Sequence, residues 1–309
     1  MEVTADDGDV LGLVDDRLVT FRAGPGAAAS SASFRFHDWA DGLAIPRPPG
    51  QGRPVYDLPV GQVVYFDDED LLFVEHGGVA MAAALRQGVV DTWVVAGDRA
   101  RWLASHPFFT IGLLELLKRQ GLFSLHAAGC SAGGGKVVLL AGPSGAGKST
   151  LALALTRAGF GLLGDDTLFL GRDAGDVGVL GFPDEVDVTD ATTGLLPELG
   201  YLLGRPKPPG ALKHRLRAEE VFGQPVSTGR ATALVFPEVT SAVGSVLTPM
   251  AEEEALLRLA PDVLLTERTA SQAHLDALGR LAGNCPAYRL ETGRDLNRVV
   301  YLVRDLFAE

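Results

Sequence analysis

One stretch constrains this chain more than any other: Gly142-Pro143-Ser144-Gly145-Ala146-Gly147-Lys148-Ser149-Thr150. It follows KVVLLAG (136–142), a continuous apolar run of the kind a strand covered on both faces requires. It leads into KSTLALALTRAGF (148–160), whose apolar spacing predicts a helix. Glycines at 142, 145 and 147 let successive backbone N–H groups point into one concavity. The following helix aims its positive end, worth about half an elementary charge, at the same place. A strand, a G-x-x-x-x-G-K-S turn and a helix in that order form a cradle for phosphates. In such a cradle Lys148 neutralises the β- and γ-phosphates, the Ser149 hydroxyl ligates Mg²⁺, and Thr150 is within reach of the α-phosphate. The pattern implies ATP and Mg²⁺ as cofactors.

Two acids interrupt the next apolar run, GLLGDDTLFLGRD (161–173), which reads as one strand with Asp165 and Asp166 in its middle. A short helix and a crossover are expected to bring that strand back beside the phosphate-loop strand. One carboxylate then holds the metal or its water shell, and the other accepts the proton of an incoming hydroxyl. Which acid does which is open at this level, and a solvated bulge is the bland alternative. His126 lies on SLHAAG (124–129), read as a short strand upstream of the loop, where a lone His is ordinarily a buried hydrogen-bonded residue. No LSGGQ-like motif and no late strand ending in Asp-Glu accompany the loop, which sets aside the transporter ATPases. ALVFPE (233–238) and VLLTE (263–267) read as core strands ending in an acid.

The first 110 residues read as short β elements: two strands joined by an acidic turn in 63–76, and another in 89–98. LAIPRPPGQGRPVYDL (43–58) is too rich in Pro and Gly for regular structure and reads as a loop. FFTIGLLELLKRQG (108–121) reads as a helix with a Gly stop. Beyond the loop helix, 175–183, 232–239 and 286–293 read as strands, and 271–283 and 294–309 as helices. The expected fold is therefore α/β, with a β-rich N-terminal domain over 1–115 that recognises an acceptor or partner, and a P-loop domain over 116–309.

The run SLHAAG, a glycine turn, KVVLLAGPSGAGKSTLALAL and GFGLLGDDTLFL resembles the kinase domain of HPr kinase/phosphorylase and its relatives. That group shares its fold with the ATP-dependent phosphoenolpyruvate carboxykinases. The resemblance is specific over about 124–170 and weaker from there to the C-terminus. It implies His126 beside the phosphates, Ser149 on Mg²⁺ and one of Asp165 and Asp166 as the base. Two departures stand out: Thr150 replaces an acid, and no ELRGLG-like signature follows. GFPDEVDVTDATTGLLPELG (181–200) occupies that region instead. HPr as acceptor and phosphorolysis are thereby left open, and the chain looks more like the divergent HPr-kinase-related proteins, some of which accompany peptide-modification genes. Glu185 and Asp187 share a face if extended, so Glu185 is a candidate second metal ligand; a solvated turn is the plainer alternative.

An otherwise acidic chain, with 27 Lys and Arg against 39 Asp and Glu, concentrates Arg205, Lys207, Lys213, His214, Arg215 and Arg217 in an irregular segment. That segment reads equally as a solvated loop or as a lid supplying cations to developing charge, with Lys213 and Arg215 the preferred cations and Arg230 a lesser one. The net charge of −12 argues against nucleic acid and anionic membrane as partners. The acidic N-terminus and the lack of a long apolar stretch lead to an expectation of a cytoplasmic protein, with oligomers possible. The function expected is an ATP- and Mg²⁺-dependent kinase acting on a hydroxyl, with Ser or Thr of a protein or peptide as the foremost acceptor. A small-molecule hydroxyl kinase and a non-catalytic nucleotide-binding regulator are the alternatives.

Overall fold

The computed structural model describes residues 1–18, 32–40, 44–45, 47–58, 61–171, 178–182, 185–208, 211–217, 220 and 225–308. They divide into two units, Met1–Gly121 with Leu264–Gln272, and Leu122–Val263 with Ala273–Glu309. Each is a mixed α/β assembly. Among the described residues no helix is long and apolar enough to cross a membrane.

The first unit is built on seven strands. They are β1 (Glu2–Ala5), β2 (Ser33–Asp38), β3 (Arg53–Leu58), β4 (Gly61–Phe66), β5 (Leu71–His76), β6 (Val79–Ala84) and β7 (Val89–Val94), in the order β1-β2-β7-β6-β5-β4-β3. Helices α1 (Gly8–Arg17), α2 (Asp98–Leu103) and α3 (Phe109–Arg119) complete it. Alternate burial along β7 follows from the two-residue period of a strand with one face on the core. Gly112 lets α3 approach closely, because a Cβ there would stand 3.2 Å from Val90 and 3.3 Å from Phe34. Two expectations fail here. Residues 53–58 form a strand despite Pro54, since β3 is at the sheet edge and bulged there, where a missing N–H is tolerated. The opening residues form helix α1, started by the Asp7 carboxylate accepting from the Asp9 N–H.

A buried charge cluster lies on α3. The Glu115 carboxylate meets Lys118 Nζ at 2.5 Å and Arg119 at 3.1 Å, and accepts from the Thr266 hydroxyl at 2.7 Å. Asp70 accepts from Arg119 and from the Tyr65 hydroxyl, and Lys118 also donates to the Leu264 carbonyl. Residues 263–267, expected to be a core strand, contain no strand. The Leu264 carbonyl and the Thr266 hydroxyl join this cluster, and the Leu265 and Thr266 carbonyls accept from Arg53 instead.

The second unit contains β8 (Leu122–Leu125), β9 (Ala127–Gly133), β10 (Lys136–Ala141), α4 (Lys148–Arg157), β11 (Gly161–Gly164), β12 (Leu168–Gly171) and β13 (Gly178–Gly181). A ribbon of β14 (Glu185–Val188) and β15 (His214–Arg217) is interrupted by α5 (Asp190–Leu195) and a 3₁₀ turn, Pro197–Gly204. Then come β16 (Thr228–Val239), β17 (Val246–Met250), α6 (Glu252–Leu259), α7 (Arg268–Asn284), whose residues up to Gln272 belong to the first unit, β18 (Ala287–Thr292) and α8 (Leu296–Asp305). The main sheet runs β11-β9-β10-β16-β13-β12-β8, with β18 also on β16 and β17 beyond it. The continuous apolar run of β10 is explained by its two faces: Val138 and Leu140 enter a core with α4 and α8, while Val137, Leu139 and Ala141 enter one with α6 and α7.

The sheet also corrects three expectations. Residues 124–129 and 161–171 are not single strands; each breaks at the polar residues, His126 and Asp165-Asp166. The strand after the loop helix, β11, pairs with β9 rather than with β10. The reason is local: β9 turns through Gly134-Gly135 straight back onto β10 as an antiparallel hairpin and takes that position. The basic segment, read as irregular, contains a strand over His214–Arg217.

Candidate active site

The site assembles where strands end, after Leu125, Ala141 and Gly164. β10 ends at Ala141 and α4 begins after Gly147, whose φ of +97° lies in the left-handed region that glycine adopts without strain. No side chain caps α4, and the first-turn N–H groups of a helix have no intrahelical acceptor. They face outward with the positive end of the helix dipole. Pro143, Ser144 and Gly145 are exposed along the loop, while Ala146 and Lys148 are buried.

Lys148 Nζ donates to the Gly142 carbonyl at 2.7 Å and to that of Pro143 at 3.3 Å, and stands 2.9 Å from His126 Nε2. Burial holds its pKa below the ordinary lysine range, although Asp166, Asp165 and Asp262 all work the other way. His126, in the gap between β8 and β9, also has Nε2 3.2 Å from Asp166 Oδ1. One ring nitrogen therefore stands between a donor and an acceptor. As a bare lone pair it accepts from Lys148, and carrying a proton it donates to Asp166.

Asp165 and Asp166 follow β11 at a bend, with Asp166 at φ +74°. That bend sends the two neighbours into different surroundings. Asp165 is 4% exposed, and neither carboxylate oxygen has a hydrogen bond. Burial, and then the charge of Asp166, push its pKa up to about 7. The Ser149 hydroxyl and the Asp187 backbone N–H are close enough to oppose this shift but not to satisfy the oxygens. Asp166 is exposed, and the bond to His126 holds it below the usual carboxylate range, helped by Lys148 and Lys213.

The ribbon brings the basic segment to the same place. Lys213 Nζ pairs with Asp187 at 3.1 Å and adds positive charge near Asp166 and Lys148. Arg215 bonds Glu185 across the ribbon, so the candidate second metal ligand is engaged there, and Asp187 is the one beside Asp165. Lys207 and His214 both pair with Asp190, and Arg205 with Glu220. Five basic side chains of the segment, Arg205, Lys207, Lys213, His214 and Arg215, thus each meet an acid. Arg230 pairs in register with Lys136, at the end of β10 remote from the loop.

No family model matches the chain, and no curated protein matches it. Solved structures similar to it include the HPr(Ser) kinase/phosphatase from Coxiella burnetii. That likeness has a TM-score of 0.33 at 12% identity, covering 60% of this chain and 93% of that one. At that score it carries no argument.

His126, Lys148, Asp165 and Asp166 stand together, with Ser149, Asp187 and Lys213 around them; Glu185 pairs with Arg215, which also reaches Asp187 at 3.7 Å, and Arg230 lies at the far end of β10. Sequence reasoning missed Asp262. It ends the 3₁₀ turn Ala260–Asp262 after α6, and its charge is felt by His126, Lys148 and Asp166. Burial raises its pKa, and Asp166 adds to the rise. Only the acid's position at the end of an apolar helix, LLRLAPD (256–262), offered a signal. Among the described residues no group of three or more His, Cys, Asp or Glu is arranged to hold a metal by itself. The donors do suit a Mg²⁺ ion that takes one or two protein ligands and completes its shell with phosphate and water. A buried carboxylate with two unsatisfied oxygens beside a serine hydroxyl is such a set.

Proposed function

We propose that this chain is an ATP- and Mg²⁺-dependent phosphotransferase acting on a hydroxyl, foremost that of Ser or Thr in a protein or peptide. One observation carries the reading: two adjacent acids at the phosphate loop are driven to opposite protonation behaviour by their surroundings. Bound ATP supplies the phosphoryl group to be transferred. The loop amides of 142–148 bind the phosphates, and Lys148 neutralises their charge. Asp165 and Ser149 hold the divalent cation, and a cation is what makes an ionised Asp165 tolerable at a buried position. Asp166 stays ionised and accepts the proton of the acceptor hydroxyl at its carboxylate. A low pKa suits this task, because a loose transition state draws little on the strength of the base. His126 orients Asp166, and Lys213, held by Asp187, adds positive charge at the rim.

Exposure supports this acceptor class. The Asp166 side chain is 60% exposed and that of His126 is 37% exposed, so the hydroxyl can be presented by a large molecule and need not be engulfed. The test mixes the protein with ATP, Mg²⁺ and a panel of Ser/Thr peptides and small hydroxyl compounds, following ADP and phosphorylated product. Asp166→Asn should lower turnover roughly 10²–10⁴-fold, the ordinary weight of a general base. Lys148→Ala should lower it at least as far. Wild-type turnover in both variants would overturn the reading. Product from metabolites alone would transfer it to a small-molecule kinase, and tight ATP binding without product on any acceptor would point to a regulator.

A further inference from the structure

The second residue of α4 after the loop lysine has its hydroxyl engaged within the chain. Thr150 Oγ1 lies 2.8 Å from Thr192 Oγ1. Thr192, 2% exposed, also lies 2.9 Å from Thr189 Oγ1, and its backbone N–H donates to that same oxygen at 3.1 Å. A hydroxyl has one proton to give, so Thr192 can donate to one of these threonines only while accepting from the other. The three hydroxyls form a chain from the first turn of α4 to the N-cap of α5. The two ends of that chain matter. Thr150 adjoins Ser149 and Lys148, while Thr189 follows β14 directly, and β14 carries Asp187, the residue beside Asp165 that holds Lys213.

We infer that Thr192 is a positioning residue: through Thr150 it ties the phosphate loop to the β14–β15 ribbon, so that Asp187 and Lys213 stay level with the acid pair. The inference rests on the nucleotide-binding reading above for its catalytic meaning, but the tether itself is a property of this chain alone. It also reassigns Thr150, from a hydroxyl within reach of the α-phosphate to one end of an internal strut. The local geometry agrees, because Val186, Val188 and Leu216 of the ribbon share a core with Leu151, Ala152 and Leu155 of α4. That apolar contact holds the two elements together without setting their sliding register. A directional bond sets it.

The experiment compares Thr192→Val, which keeps shape and removes the hydroxyl, with Thr192→Ser, which keeps the hydroxyl, and with Thr150→Val and the double valine variant. Amide exchange over 142–151 needs no nucleotide. It should quicken about 10-fold in either valine variant and return to within twofold of wild type in Thr192→Ser. Magnesium-ATP KM should rise about 5- to 20-fold in either valine variant with kcat within about twofold, and the double variant should be no worse than the single ones. Unchanged exchange in both valine variants, or additive losses in the double one, would overturn the tether. Should Thr192→Val not fold, Thr150→Val breaks the same bond from its half-exposed end and decides alone. Absence of ATP binding by the wild-type protein would sink the functional reading and leave the exchange result to judge the strut.

Discussion

Among the described residues, two clusters contain buried charge, and they are built to opposite rules. In the cluster at α3, Glu115 of the helix and Asp70, just before β5, each have at least two partners, so both carboxylates are compensated. Beside the phosphate loop, Asp165 is as deeply buried and has none. Both clusters also contain a lysine whose pKa is lowered first by burial, Lys118 in one and Lys148 in the other. Each includes a non-glycine residue at positive φ, Asp70 at +48° and Asp166 at +74°. The difference lies in what is left over. A compensated cluster contributes to the fold, whereas an uncompensated acid lowers stability and persists where something from outside completes it.

The contrast is best tested by removing one acid from each. Glu115→Ala leaves Lys118 buried without its carboxylate, and Arg119 with Asp70 alone, and should cost about 3–5 kcal/mol in denaturant unfolding at neutral pH. Asp165→Asn should cost nothing in the same measurement, or add stability. An equal loss from both would show that the two clusters are alike and that Asp165 is structural.

A second test follows the proton. The Asp165 carboxyl is raised from an ordinary 3.8 to about 7, so the folded state binds its proton more tightly than the unfolded state does. Its contribution is then fully present below about pH 4 and is lost as pH rises through about 7, a fall of up to about 4 kcal/mol in chelator-treated protein. The fall should be absent in Asp165→Asn. Asp166, lowered rather than raised, acts the other way, and its contribution is lost only as the pH drops below the ordinary carboxylate range. A flat profile in the wild type between pH 4 and 7 would mean that Asp165 is satisfied after all.

The smallest effect is expected on the ribbon. Glu185 and Arg215 have side chains 27% and 22% exposed, and Glu185→Gln should change stability by less than about 1 kcal/mol. It should also leave Mg²⁺-dependent ATP affinity within twofold. A loss of tenfold or more would return Glu185 to the metal and redraw the boundary between the site and the ribbon.

Much of the second unit was legible because its residues obey one rule at a time. An unbroken apolar run became β10, glycine spacing became the turn, and 3.6-residue periodicity became α4. His126, Asp165 and Asp166 drew notice for the same reason, as polar residues inside apolar runs. That they end strands instead of interrupting them was not legible, since breaking a strand at a polar pair depends on what the neighbouring strands bring. Pairing between distant segments was hidden altogether. The match of Lys213 with Asp187 needs the register of two short strands, and Asp262 reaches the site only through the path of α6. Pro54 misled for a related reason, because a proline forbids a central strand but not an edge.

The hairpin of β9 and β10 has a consequence of its own. Its register sets Ala127 opposite Ala141, which places His126 level with the first residue of the loop. A strand advances about 3.3 Å per residue, so the hairpin works as a ruler with its zero at the glycine turn. One residue inserted into β9 would carry His126 past hydrogen-bonding range of Lys148 and turn its side chain to the other face. Substitutions at Gly134 and Gly135 and insertions into the strand are thus different experiments. The first alters the hinge of the ruler, and the second alters its length.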